Sequence, residues 1–152
     1  MIDKLYLGDC LEVMNDIPDG SVDMVLCDLP YGVLNQNNEG AKWDVIIPFE
    51  PLWKQYLRVC KENAASVLFS SGLFTAKLMM YQPDLWRYNL IWDKCTTTGF
   101  LNANRMPLRQ HEDICVFYRS LPVYNPQMKT GIIHSRQHGN LKNNCYGDYD
   151  MQ

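Results

Sequence analysis

The sequence predicts an α/β domain with a largely parallel sheet. Apolar runs of strand length alternate with segments of helical periodicity, the pattern of βαβ units. The run "SVDMVLCD" at 21–28 is apolar in character, as expected of a strand covered on both sheet faces. Two short polar signatures, "GD" at 8–9 and "DLPY" at 28–31, fall where strands end. In open α/β sheets that is where ligands bind. A chain of 152 residues suits one domain.

The elements follow in order. "KLYLGD" (4–9) reads as a short strand and "CLEVMNDI" (10–17) as a short helix. Pro18-Asp19-Gly20 is a turn. Residues 29–48 form a loop after the strand at 21–28, and loops that long are usually functional. "FEPLWKQYLRVCKE" (49–62) reads as a helix ended by Asn63, with Phe49, Leu52, Trp53, Tyr56, Leu57 and Cys60 on its apolar face. "ASVLFSS" (65–71) is a buried strand. Ser71 is a candidate N-cap for the helix "GLFTAKLMMYQ" (72–82), which Pro83 stops. "YNLIWDK" (88–94) is a strand, residues 95–110 a second long loop, and "DICVFYR" (113–119) the last strand. From about residue 120 the sequence turns polar and rich in Gly and Asn.

Composition excludes several classes. There is no basic start followed by an apolar run, and no apolar stretch is long enough to span a bilayer. The expectation is a soluble, cytoplasmic protein with reduced thiols. None of the six cysteines lies within four positions of another, so zinc-type spacing is absent. His134 and His138 are four apart, but two ligands do not make a metal site. The net charge of −3 conceals an asymmetry: residues 1–50 carry two Lys/Arg against ten Asp/Glu, residues 51–152 twelve against seven. A basic segment beside an acidic one suits a protein that meets a polyanion with one face.

"DLPY" suits one kind of chemistry. An exocyclic amino group on a base is a poor nucleophile while its lone pair is conjugated into the ring. Two acceptors facing its N–H groups draw that pair out. Asp28 supplies a carboxylate and Leu29 a carbonyl. Pro30 stiffens the link and holds Leu29 extended. Tyr31 offers a flat face for stacking a base.

These residues, with "GDCLEVM" upstream and the blocks "KWDVIIPFEPLW", "ENAASVLFSSG", "NLIWDK" and "LRQHEDICVFYR", resemble the amino-methylating DNA methyltransferases. The likeness is to the class whose catalytic motif precedes the cofactor loop, and it spans roughly residues 3–130. It implies a Rossmann-like, S-adenosylmethionine-dependent methyltransferase fold acting on double-stranded DNA. Asp28 and the Leu29 carbonyl, held by Pro30, would clamp the target amino group. Tyr31 would stack on the flipped base. Asp9 and Cys10, with Asp28, would contact S-adenosylmethionine. Transfer would be direct, without a covalent enzyme intermediate. Asp at position 28 favours adenine N6 over cytosine N4. Trp43, in the loop after the motif, is the candidate base contact, while Trp53 and Trp92 are read as packing. Arg105 and Arg109 are the leading candidates to hold phosphates, alongside Lys94, Arg119, Lys129, Arg136 and Lys142. His111-Glu112 is read as structural.

Two departures stand out. Position 29 is Leu where similar enzymes usually carry a second Pro, which keeps the carbonyl and loses rigidity. No two of the nine glycines are two apart, so the Gly-x-Gly of the cofactor loop does not occur. The expectation is an incomplete fold lacking its C-terminal cofactor-loop half. Residues 1–120 would be its catalytic portion, and 121–152 the polar, loop-like start of a truncated target-recognition region. Such a fragment exposes buried faces, which favours association, including a homodimer. A non-catalytic remnant with weak DNA or partner binding is the competing reading, and a cytosine-N4 methyltransferase a third.

Overall fold

The structure, a computed structural model, describes residues 3–34 and 39–128. A short helix, α1 (Cys10–Val13), opens the regular structure and tightens into a 3₁₀ turn at Met14–Asp16. Asp9 caps it: its Oδ1 accepts the Leu11 N–H at 2.8 Å, satisfying one orphan donor of the first turn. Strand β1 (Val22–Asp28) follows. After the loop come helix α2 (Phe49–Val59), strand β2 (Cys60–Ser70), helix α3 (Leu73–Tyr81), and strands β3 (Trp86–Thr98) and β4 (Arg109–Tyr118).

The four strands are ordered β1-β2-β4-β3. β1 pairs with β2 in parallel, whereas β4 is antiparallel to both neighbours. β1, β2 and β3 therefore run one way, and β4 alone is reversed between β2 and β3. The expected largely parallel sheet is thus a mixed one. The crossover through α3 returns β3 in the direction of β2. The short loop 99–108 then turns the chain straight back as β4, and consecutive strands on a short loop pair antiparallel.

α2 and α3 build the core on one sheet face. Leu52, Trp53 and Tyr56 from α2, and Phe74 and Leu78 from α3, pack with Leu29, Leu68, Cys115 and Phe117. The other face is open. Met24 and Leu26 of β1 are 54% and 60% exposed. With Ala65, Val67, Val116, Tyr88 and Leu90 they belong to the face that lines an apolar trough of about 820 Å³, along which residues 121–124 run. The expectation that β1 is covered on both faces is corrected. Among the described residues both helices pack on the same side, so the apolar pattern of β1 finds cover on one face only.

Four further expectations change. Residues 4–7 are not a strand. Leu5 and Leu7 are almost fully exposed, and this run joins no ladder among the described residues. α2 stops at Val59, and Cys60 is already extended at φ −75°, ψ 140°. The turn at 18–21 ends it: the Gly20 and Ser21 N–H groups donate to the Arg58 and Val59 carbonyls, each at 2.9 Å. Arg58 reinforces the junction, donating to the carbonyls of Met14 and Ile17 and to Asp19 and Gln55. The second long loop shrinks to 99–108, because the β3–β4 ladder extends to the pair Thr98–Arg109. Ser71 does not cap α3. Gly72, at φ +58°, takes that position without a side-chain bond. Cys10–Asp16 as a helix and Pro18–Gly20 as a turn agree with expectation.

Candidate active site at the end of the first parallel strand

Asp28 is the last residue of β1 and pairs in register with Phe69, near the end of β2. It stands at the carboxyl end of the parallel pair. Leu29 then turns inward: it is only 5% exposed and joins the core cluster. This burial anchors the backbone between Asp28 and Pro30. Tyr31 folds back, and its hydroxyl donates to Asp28 Oδ1 at 2.8 Å. Its ring lies against Phe74 of α3, centroids 5.1 Å apart and tilted by 34°. Burial, then the bond to Asp28, push the Tyr31 phenol well above its ordinary value, so it stays a proton donor at neutral pH.

A cavity of about 370 Å³ lies beside Asp28, lined also by Cys10, Met14, Cys27, Leu29, Pro30, Ile47 and Tyr56. The structure thus brings Cys10 and Asp28 to one cavity. Burial and the neighbouring Asp9 raise the Cys10 thiol, and burial raises Cys27 despite a hydrogen bond from Tyr56. Both stay protonated and are poor nucleophiles. Asp9 is not part of the cavity lining, and one of its oxygens caps α1.

Arg109 opens β4 at the sheet end that carries Asp28, and its Nη1 donates to Ser71 Oγ at 3.2 Å. Trp43 is 69% exposed on the loop after the motif. Arg105 is exposed in the 99–108 loop. Lys94 and Arg119 have partners within the chain. Lys94 pairs with Glu112 at 2.7 Å, which gives Glu112 the structural role expected of it. Arg119 braces the start of β2 through the Cys60 carbonyl and Glu62. Trp53 is packed as expected, but Trp92 is half exposed, its edge on Phe69. Lys129, His134, Arg136, His138 and Lys142 lie outside the described residues. Among the described residues no cluster of three His, Cys, Asp or Glu is placed to hold a metal, and no helix is long and apolar enough to cross a membrane.

Sequence reasoning missed Asp44. This carboxylate is 2% exposed and accepts the Gly32 N–H at 2.9 Å and the Leu34 N–H at 2.6 Å. The Leu34 bond foremost, with those of neighbouring N–H groups, holds its carboxyl below the usual range against the opposing effect of burial. The available signal was an acid set between Trp43 and the apolar run Val45-Ile46-Ile47.

No protein-family model matches the chain. One curated relative, the type II methyltransferase M.BamHI of Bacillus amyloliquefaciens, is 42% identical over 38 residues, which is 25% of this chain and 9% of that protein. Among solved structures, the PvuII DNA methyltransferase (cytosine-N4-specific) superposes with a TM-score of 0.58 at 14% identity, covering 77% of this chain and 49% of that one. M1.HpyAVI, solved as a complex with SAM, gives a TM-score of 0.58 at 18% identity over 83% of this chain and 62% of that one. The chain therefore has the Rossmann-like α/β fold of these solved methyltransferases and spans about half to three-fifths of their length.

Proposed function

We propose that this chain is the amino-group-clamping part of an S-adenosylmethionine-dependent DNA methyltransferase acting on adenine N6. One observation supports this above the others. An acid ends a parallel strand and is held by the hydroxyl of a tyrosine three residues on, with a buried leucine and a proline between them. Asp28 and the Leu29 carbonyl would accept the two N–H bonds of the target amino group. Tyr31, braced from one side by Phe74, would present its remaining ring face to the flipped base, worth about 1–3 kcal/mol of stacking. Arg109, Arg105 and Trp43 would meet the DNA around it.

The cavity beside Asp28 suits the cationic, methionine end of S-adenosylmethionine: a carboxylate rises from a largely apolar lining. Cys10 and Asp28 line it and would hold the cofactor, and Asp9, next to Cys10 but outside the lining, would add only the oxygen that does not cap α1. That group supplies an electrophilic methyl on its sulfonium. The protein's part is to strip the amino nitrogen of its conjugation, fix its direction and keep water away. Residues 1–120 would carry this chemistry, and 121–152 would begin the target-recognition region.

The test is methyl transfer to duplex DNA by the protein that carries this chain, with Asp28→Ala beside it. The variant should lose activity by at least about 10²-fold, the scale of an electrostatic catalytic group. Undiminished transfer would remove Asp28 from this role. Mass spectrometry of the nucleosides decides between bases. N4-methylcytosine would favour the second reading: both amino groups offer the clamp the same pair of donors, and only the Asp at position 28 tilts the reading to adenine.

A further inference from the structure

We propose that Asp44 is a positioning residue that folds the backbone after the motif and thereby sets the Tyr31 ring. The proposal rests on the reading of Tyr31 as the base platform.

Gly32 is the pivot. It lies at φ +71°, a conformation that favours glycine, and a Cβ there would meet Ile46 Cγ1 at 2.9 Å. A residue in this left-handed region turns successive N–H groups to the same side, forming a concavity that suits an anion. Here the anion is the protein's own. The Asp44 carboxylate takes the Gly32 and Leu34 N–H groups on separate oxygens, and those of Tyr31 and Val33 also act on it.

Asp44 is itself held. Its N–H donates to the Ala41 carbonyl at 3.0 Å, at the end of the 3₁₀ turn Glu39–Ala41, and Ala41 is buried. The carboxylate is thus a fixed post, ten and twelve residues from the groups it gathers. Tyr31 is the residue immediately before the pivot. Its side chain is held by the Asp28 bond and by packing on the core beside Phe74. A substrate amino group on Asp28 would compete with the Tyr31 hydroxyl for the same carboxylate. The Phe74 contact and the Asp44-gathered backbone hold the ring independently of Asp28. Charge-assisted bonds accepted by a desolvated carboxylate suit that task.

The experiment compares Asp44→Ala and Asp44→Asn with the unaltered chain by amide hydrogen exchange and ring-proton NMR. In Asp44→Ala, exchange at residues 31–34 should accelerate by about tenfold or more, and the Tyr31 ring resonances should move as Phe74 shielding changes. Amides of Leu68 and Phe117 should hold their rates. Asp44→Asn, which keeps one acceptor, should fall between, and it decides by the same criteria should the alanine variant fail to fold. Unchanged exchange at 31–34, unmoved Tyr31 resonances, or equal acceleration in the core would overturn the proposal. A methylation arm reads Asp44→Asn as a raised KM for DNA, by about tenfold, with a smaller change in kcat. An unchanged KM in an active enzyme would likewise overturn it. If the unaltered protein methylates nothing while Tyr31 moves in the variants, the methyltransferase reading falls and the hold of Asp44 on Tyr31 stands.

Discussion

At the scale of single residues, Tyr31 makes two separable contacts. Its hydroxyl serves Asp28 and its ring serves Phe74. Tyr31→Phe should change stability by no more than about 1.5 kcal/mol and leave a stacking face. Tyr31→Ala should lower affinity for a duplex carrying an extrahelical target base by about 1–3 kcal/mol, measured with a fluorescent base analogue. Asp44 gives a pH signature. Its folded pKa is depressed, so its contribution to stability is complete above about pH 4 and is lost as pH falls through the lower folded value. The stability gap between the unaltered chain and Asp44→Asn, read by denaturant unfolding, should therefore shrink below about pH 4. Asp28, Leu29, Pro30 and Tyr31 were legible in the sequence because their chemistry is local, packed into four consecutive residues. Asp44 was legible only as an acid among apolar neighbours, because nothing near it says that its partners lie ten and twelve positions upstream.

At the scale of elements, α2 shows where periodicity informs and where it misleads. Phe49, Leu52, Trp53 and Tyr56 fall on the core side as their spacing predicts. Leu52 is 1% exposed, so Leu52→Ala should cost about 2–5 kcal/mol in thermal or denaturant unfolding. Cys60 continues the same spacing, yet it begins a strand. Three contacts outside the helix decide that: the Val22–Cys60 register pair and the two N–H groups donated by Gly20 and Ser21. No local pattern carries them. The same holds for Lys4–Leu7, whose strand-like sequence lacks a neighbour among the described residues. Arg58→Met should keep the helix and loosen its tie to the turn, at about 1–3 kcal/mol, since the carbonyls of Met14 and Ile17 lose a charged donor.

At the scale of the whole molecule, alternating elements made an α/β sheet legible, but strand direction was not. Whether a strand lies parallel depends on the connection before it, and the loop 99–108 is too short for a crossover. The open sheet face predicts that the chain binds an environment-sensitive apolar dye while natively folded. Leu26→Ser and Leu90→Ser should reduce that fluorescence without loss of the near-ultraviolet signal of the Trp53 core. The reversed strand adds a consequence in time. Among the described residues β4 is the last strand to leave the ribosome and the one that joins β2 to β3. At about 5–20 residues per second, the forty residues from Ser70 to Arg109 take several seconds to make. Through that interval β2 has a bare edge on the side β4 will fill, and the nascent sheet depends on the helix layer alone to keep it from a wrong partner.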